Sequence, residues 1–157
     1  MQLHQNYVRN CHQILDMARN YDGQFQRRVG KATHGSFLPF YSQFSTLFVD
    51  KVCSNSDIDI IFADCDFDRD LRDLFQFIQI QRYSPGDYIV PHQDVYSVTK
   101  LHLVTLTSGP HDALICQSGD KLIRVADQAG QKIDFPYNAW HWVDPCVDVR
   151  YSLVIGE

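Results

Sequence analysis

The rhythm of apolar and polar positions changes near residue 74. Before it, apolar residues recur three and four apart. Tyr7, Cys11, Ile14, Leu15 and Ala18 fall on one side of a helix over 3–20, which Asp22-Gly23 would stop. Phe44, Leu47, Phe48 and Val52 repeat that spacing and predict a second, weaker helix over 41–53. Both stripes read as core packing. From residue 74 the texture is β: short segments rich in Ile, Val, Leu, Phe, Tyr or Thr at 74–83, 88–91, 100–106, 113–116, 121–125, 133–135, 141–143 and 149–155. Turn signals (SPGD, SGPHD, QSGD, DQAGQ) separate several of them. Roughly eight short strands so spaced predict a sandwich or jelly roll, with the two helices packed on one outer face.

No repeat, low-complexity tract or linker interrupts the chain, so a single domain over 1–157 is expected, mainly β with N-terminal helices (α+β): about 1–56 as helical support, about 74–157 as the jelly-roll core. Its 157 residues, 45% of them apolar, suffice for one sizeable core. A net charge of −5 without any lysine or arginine block makes a nucleic-acid partner unexpected. No apolar run reaches the roughly 18–20 residues of a membrane span, and the N-terminus has no signal-peptide pattern. The five cysteines are scattered without any Cys-x-x-Cys, which disfavours a disulfide framework or zinc knuckle and makes a reducing cytoplasm the expected location. Among the seven aspartates between 57 and 73, the run DCDFDRD imitates the start of a calcium loop. Arg69 stands where that loop needs Gly, and Phe75 where it needs Glu, so a solvated acidic loop is the better reading.

The chemistry-bearing residues lie in the β half. In YSPGDYIVPHQD, His92 and Asp94 are two apart on an extended segment and so face one side. A second histidine, His141, stands far downstream in NAWHWVDP. Two imidazoles and one carboxylate form the facial triad of non-haem Fe(II) oxygenases, which leaves coordination positions open. A jelly roll brings distant strands side by side and makes the meeting feasible. Arg150 and Ser152 share a face with Val154 on the last strand, so that face should be interior, and an arginine there needs an anion. A dicarboxylate would supply one; an ion pair with one of the many aspartates is the other reading. His-Gln-Asp lacks the His-x-His of a cupin, and no Gly-x-Ser-x-Gly marks a hydrolase.

Taken together, YSPGDYIVPHQD and HWVDPCVDVRYS resemble the Fe(II)- and 2-oxoglutarate-dependent dioxygenases, most nearly the prolyl-4-hydroxylase-like group. That pattern runs Tyr, a turn with Gly, His-x-Asp, a long gap, His-x-Val-x-Pro, and a basic residue before a final strand. Tyr83, Gly86, His92, Asp94, His141, Val143, Pro145 and Arg150 occupy those places, and the resemblance covers about 74–157. The segment GQKIDFPYNAWHWV is also similar to aspartyl/asparaginyl hydroxylases, which leaves the subfamily open. Where the pattern has Gly shortly before the basic residue, this chain has Val147-Asp148-Val149. The resemblance implies a double-stranded β-helix core, with Fe(II) on the catalytic triad His92, Asp94 and His141. It implies 2-oxoglutarate as cosubstrate, held at its far carboxylate by Arg150, Ser152 and the Tyr83 hydroxyl, and dioxygen as oxidant. The implied reaction hydroxylates a C–H bond of a peptide side chain or small molecule and releases succinate and CO2. The alternative is a jelly roll that keeps the ligands and binds without turnover.

Overall fold

The computed structural model describes residues 2–32, 40–63, 71–94 and 98–157; the acidic run 64–70 lies outside them. The expected first helix is a helix only in its second half. Residues Gln2–Tyr7 form strand β1, and Cys11–Arg19 form α1. The apolar stripe of α1 is the anticipated one, with Cys11, Ile14, Leu15 and Ala18 buried. Tyr7 matched the helical spacing by coincidence: its backbone instead pairs antiparallel with a strand near the end of the chain.

The second expected helix is a larger correction. Residues Phe40–Phe48 form strand β3, and only Val49–Val52 turn into a short helix, α2. Both faces of β3 are buried. Phe44 packs into one hydrophobic cluster and Leu47 into another. A strand buried on both sides loses the period-2 alternation, so its apolar residues fell three apart and imitated a helix. The polar strand β2, Gln26–Ala32, lies beside β3 at an edge and carried no apolar signal. The segment expected as helical support therefore contributes three strands. The second helix that does support the sheet is α3, Asn55–Ile61, whose Ser54 cap accepts a hydrogen bond from the Asp57 backbone N–H at 3.2 Å. A further single turn, α4, spans Leu71–Leu74.

The eight strands expected downstream are all present: β4 Phe77–Tyr83, β5 Tyr88–His92, β6 Lys100–Thr105, β7 Gly109–Ser118, β8 Lys121–Asp127, β9 Gln131–Pro136, β10 His141–Val143 and β11 Arg150–Gly156. They divide between two antiparallel layers with the orders β9-β6-β11-β4 and β5-β10-β7-β8. β1 extends the first layer beyond β9, and β3 joins the layers, pairing with β4 through Ser45–Phe48 and with β5 through Ser42 and Gln43. This is the double-stranded β-helix, a jelly roll with helices in front.

β11 shows how the layers sort side chains. Tyr151, Leu153 and Ile155 pack outward with Ile14, Leu15 and Ala18 of α1 and with Ile58 and Ile61 of α3. Val154 points inward with Leu101, Leu103, Ile133 and Phe135 of its own layer and Ile89, Leu114 and Val143 of the facing one. Arg150 and Ser152 are in phase with Val154 and therefore inward. Among the described residues no helix is long and apolar enough to cross a membrane.

Candidate metal centre

Two local devices aim the triad. The first is the turn Ser84–Asp87, closed by the Asp87 N–H donating to the Ser84 carbonyl at 2.9 Å. Pro85 supplies its fixed φ, and Gly86 takes φ +89°, the left-handed value a type II turn requires at that position. The Asp87 carboxylate accepts from the Ser84 N–H and from Arg27 Nη1 and Nη2, which ties the turn to β2. The second device is a bulge in β5. His92 sits opposite His141 and Ile89 opposite Val143, so three steps on β5 match two on β10. The extra residue re-phases the strand, and Ile89 and His92 both face inward although three apart.

His92 and His141 are therefore direct cross-strand partners, with ring centroids 4.3 Å apart. Each Nδ1 donates to the carbonyl two residues back, His92 to Val90 at 2.9 Å and His141 to Ala139 at 3.0 Å. A carbonyl only accepts, so Nδ1 of each ring carries a proton, and Nε2 of each ring is turned toward Asp94. Asp94 is held by its own N–H on the Tyr137 carbonyl, and its carboxylate lies 3.0 Å from His141 Nε2 and 3.8 Å from His92 Nε2. One donor atom from each of the three residues falls within 4.8 Å of the others. Burial, aided by the neighbouring His141, pulls the His92 pKa down to about 4 and keeps that ring neutral at physiological pH. Burial also acts on Asp94 and His141, but their mutual attraction outweighs it: the carboxyl lies below its usual value and the imidazole above.

From the triad a pocket runs between the layers to Arg150 and Tyr83. Its walls are Leu103, Leu114, Phe135, Val143 and Val154, with Gln79 and Gln81 projecting from β4. Arg150, 1% exposed, closes the far end. Its guanidinium lies 5.3 Å above the Tyr83 ring, Nε donates to Asp127 at 2.8 Å, and Nη1 to Ser152 at 3.3 Å. Both readings of Arg150 thus hold in part: it lines the pocket, and it is paired with an aspartate. Ser152 braces the guanidinium and does not line the pocket. The Tyr83 hydroxyl donates to Gln81 Oε1 at 3.2 Å, and its ring stacks on Phe44. Burial raises its pKa far above the ordinary phenol value, so it is a neutral donor. Trp140 and Trp142 lie off the pocket wall, and His102 is a sheet histidine between Asp134 and Glu157.

Sequence reading missed Asp127, although its signal matched that of Arg150: an ionisable residue two positions from an inward apolar one, Val125. It missed Gln79 and Gln81 for a different reason. Polar residues alternating with Ile78 and Ile80 look like a solvent face, and here that face is the pocket wall.

The residues present fit a first-row transition metal such as Fe(II) with a carboxylate-bearing cosubstrate. Two imidazoles and a carboxylate are a suitable donor set. At the far end the buried Arg150 Nη2 has no hydrogen-bond partner among the described residues, a cost that an incoming carboxylate would remove.

No protein-family model matches the chain, and no curated protein matches it. Solved structures do. A Pseudomonas putida prolyl-4-hydroxylase superposes with TM-score 0.68 at 18% identity, over 99% of this chain and 89% of that one. A Trichoplax adhaerens prolyl hydroxylase, in complex with a peptide fragment of the hypoxia inducible factor oxygen degradation domain, gives 0.73 at 12% identity over 99% and 81%. The epimerase SnoN, in complex with Fe3+, alpha ketoglutarate and nogalamycin RO, gives 0.64 at 10% identity over 94% and 73%. The chain has the fold of the prolyl-4-hydroxylase-like 2-oxoglutarate/Fe(II) oxygenases.

Proposed function

We propose that the protein is an Fe(II)- and 2-oxoglutarate-dependent oxygenase that hydroxylates a C–H bond of a peptide side chain or small molecule. The carrying observation is the meeting of His92, Asp94 and His141 at one end of a pocket whose other end is Arg150. When bound, iron with 2-oxoglutarate and dioxygen supplies the oxidising chemistry, and succinate and CO2 are released.

The chain's own part is ligation, orientation and exclusion of water. His92 and His141 offer Nε2 because the backbone fixes Nδ1 as the protonated nitrogen. Asp94, 29% exposed at its side chain, contributes the anionic ligand at the open side, where a substrate would enter. Arg150 receives the far carboxylate of the cosubstrate, Ser152 holds the guanidinium, and the neutral Tyr83 hydroxyl is a donor at the same end. The apolar walls between keep bulk water from the metal. A peptide substrate has a precedent in the Trichoplax adhaerens complex, and a small molecule one in SnoN.

The test is a screen for succinate formation with Fe(II), 2-oxoglutarate and oxygen across peptides, free amino acids and small metabolites. The wild-type protein should form succinate with at least one substrate class, and His141→Ala should form none. Binding of metal and 2-oxoglutarate with no succinate under any condition would favour the silent binding module instead.

A further inference from the structure

The ion pair between Asp127, at the end of β8, and Arg150, at the start of β11, bridges the two layers with side chains 2% and 1% exposed. A buried pair is weak support for a fold, since desolvation consumes much of the attraction. This pair is also incompletely bonded: Asp127 Oδ1 and Arg150 Nη2 both lack partners among the described residues, while Nε is taken by Asp127 and Nη1 by Ser152. An anion reaching Arg150 from the pocket would therefore meet a guanidinium whose charge is already balanced. A second carboxylate would stand on the same group, in an interior that screens repulsion poorly. The charges nearest the pair act in opposite directions. Asp112 on β7 adds negative charge, Arg124 on β8 adds positive charge, and the Tyr83 phenol and Cys146 thiol are neutral. Burial holds the Asp127 carboxyl above its ordinary pKa against the pull of Arg150, as expected for a charge the site tolerates poorly.

We propose that Asp127 is a resident counter-ion that competes with the cosubstrate for Arg150 and so limits how tightly the pocket holds a dicarboxylate. This rests on the reading of Arg150 as the anchor of the far carboxylate. The benefit lies in turnover. Succinate keeps that far carboxylate, and an anchor without a counter-ion would retain the product as firmly as it binds 2-oxoglutarate. A 2-oxo acid without a far carboxylate brings no charge to Arg150 and should not sense Asp127.

The test is a calorimetric titration of 2-oxoglutarate, succinate and 2-oxovalerate into the Mn(II)-loaded protein, for wild type and Asp127→Asn, with a thermal melt of each. The amide keeps the shape and an oxygen to accept from Nε, and removes the charge. Dicarboxylates should bind the variant at least about tenfold more tightly, equivalent to about 1.4 kcal/mol. Binding of 2-oxovalerate should not change, and the ligand-free variant should melt lower. Asp127→Ser, which leaves room for water beside Nε, should shift the constants the same way and serves if the amide variant does not fold. Equal or weaker binding of 2-oxoglutarate by the variants, with a lowered melting temperature, overturns the proposal and leaves the pair purely structural. If Mn(II) binds but no protein, wild type included, binds 2-oxoglutarate, the proposed function fails, and this inference with it.

Discussion

Replacing Arg150 with alanine would cut two attachments at once, and the structure says how to tell them apart. Removal strands the Asp127 carboxylate, 2% exposed, without its counter-charge. Breaking one side of a buried pair costs about 3–5 kcal/mol. In a chain of this size about 1 kcal/mol moves the melting temperature by roughly 2–4 °C, so a fall of about 6–20 °C is expected. The second loss is the anchor. Truncating one partner of a buried charge pair weakens binding by about 2–5 kcal/mol, or at least roughly thirty-fold for 2-oxoglutarate at about 1.4 kcal/mol per decade. Adding Asp127→Asn to Arg150→Ala removes the stranded charge and should recover much of the melting temperature, while 2-oxoglutarate binding stays weak. Mn(II) affinity should be unchanged throughout, because Arg150 lies at the opposite end of the pocket from the triad. The assays are a melt and two calorimetric titrations on each variant. A single variant that melts like wild type, or a double variant that regains 2-oxoglutarate affinity, refutes the reasoning.

Three further outcomes are expected. His92→Ala and His141→Ala should each lose stoichiometric metal by elemental analysis while keeping a native circular-dichroism spectrum; retention of a full equivalent of metal would contradict the triad. A Cβ on Gly156 would run into the Phe77 ring, so Gly156→Ala should destabilise by about 1–3 kcal/mol through overpacking, and Phe77→Leu in the same chain should relieve it, as read by denaturant melts. Burial pushes the Cys146 thiol up to about 12, with Arg150 opposing, so a thiol reagent at pH 8 should leave it unlabelled until the protein is unfolded, checked by peptide mass spectrometry.

The β half was legible in the sequence because its strands obey simple local rules. Turn residues bracket them, and the shared phase of Arg150, Ser152 and Val154 assigned the inward face of β11 although both of its faces are buried. His92 and Asp94 were singled out by strand period, yet β5 ends at His92, and Asp94 is placed by its N–H on the Tyr137 carbonyl. What local pattern could not carry was partnership. Nothing near Asp127 announces Arg150, and the β5 bulge becomes visible only against the register of β10. The N-terminal errors have two physical origins: β3 is buried on both sides, and β1 and β2 each pair with only one neighbouring strand, which local pattern does not reveal. The Cys146 thiol shows the same limit of local pattern. Its own neighbours Asp144 and Asp148 matter less than burial and the acids Asp112 and Asp127 brought from other strands.

The cross-strand pairing of His92 with His141 also bears on how the proposed iron would reach the protein. An unfolded chain offers His92 and Asp94 together and nothing more, a two-donor fragment with little hold on any ion. The third donor arrives only when β10 has docked beside β5. Metal capture therefore follows folding, and it is contested in whatever ionic milieu surrounds the newly closed barrel. Intrinsic affinity favours copper and zinc over ferrous iron at such donors. Correct loading is then a matter of cellular supply at the moment and place of folding, and a chain refolded in zinc-rich buffer would be expected to emerge intact, mismetallated and inert.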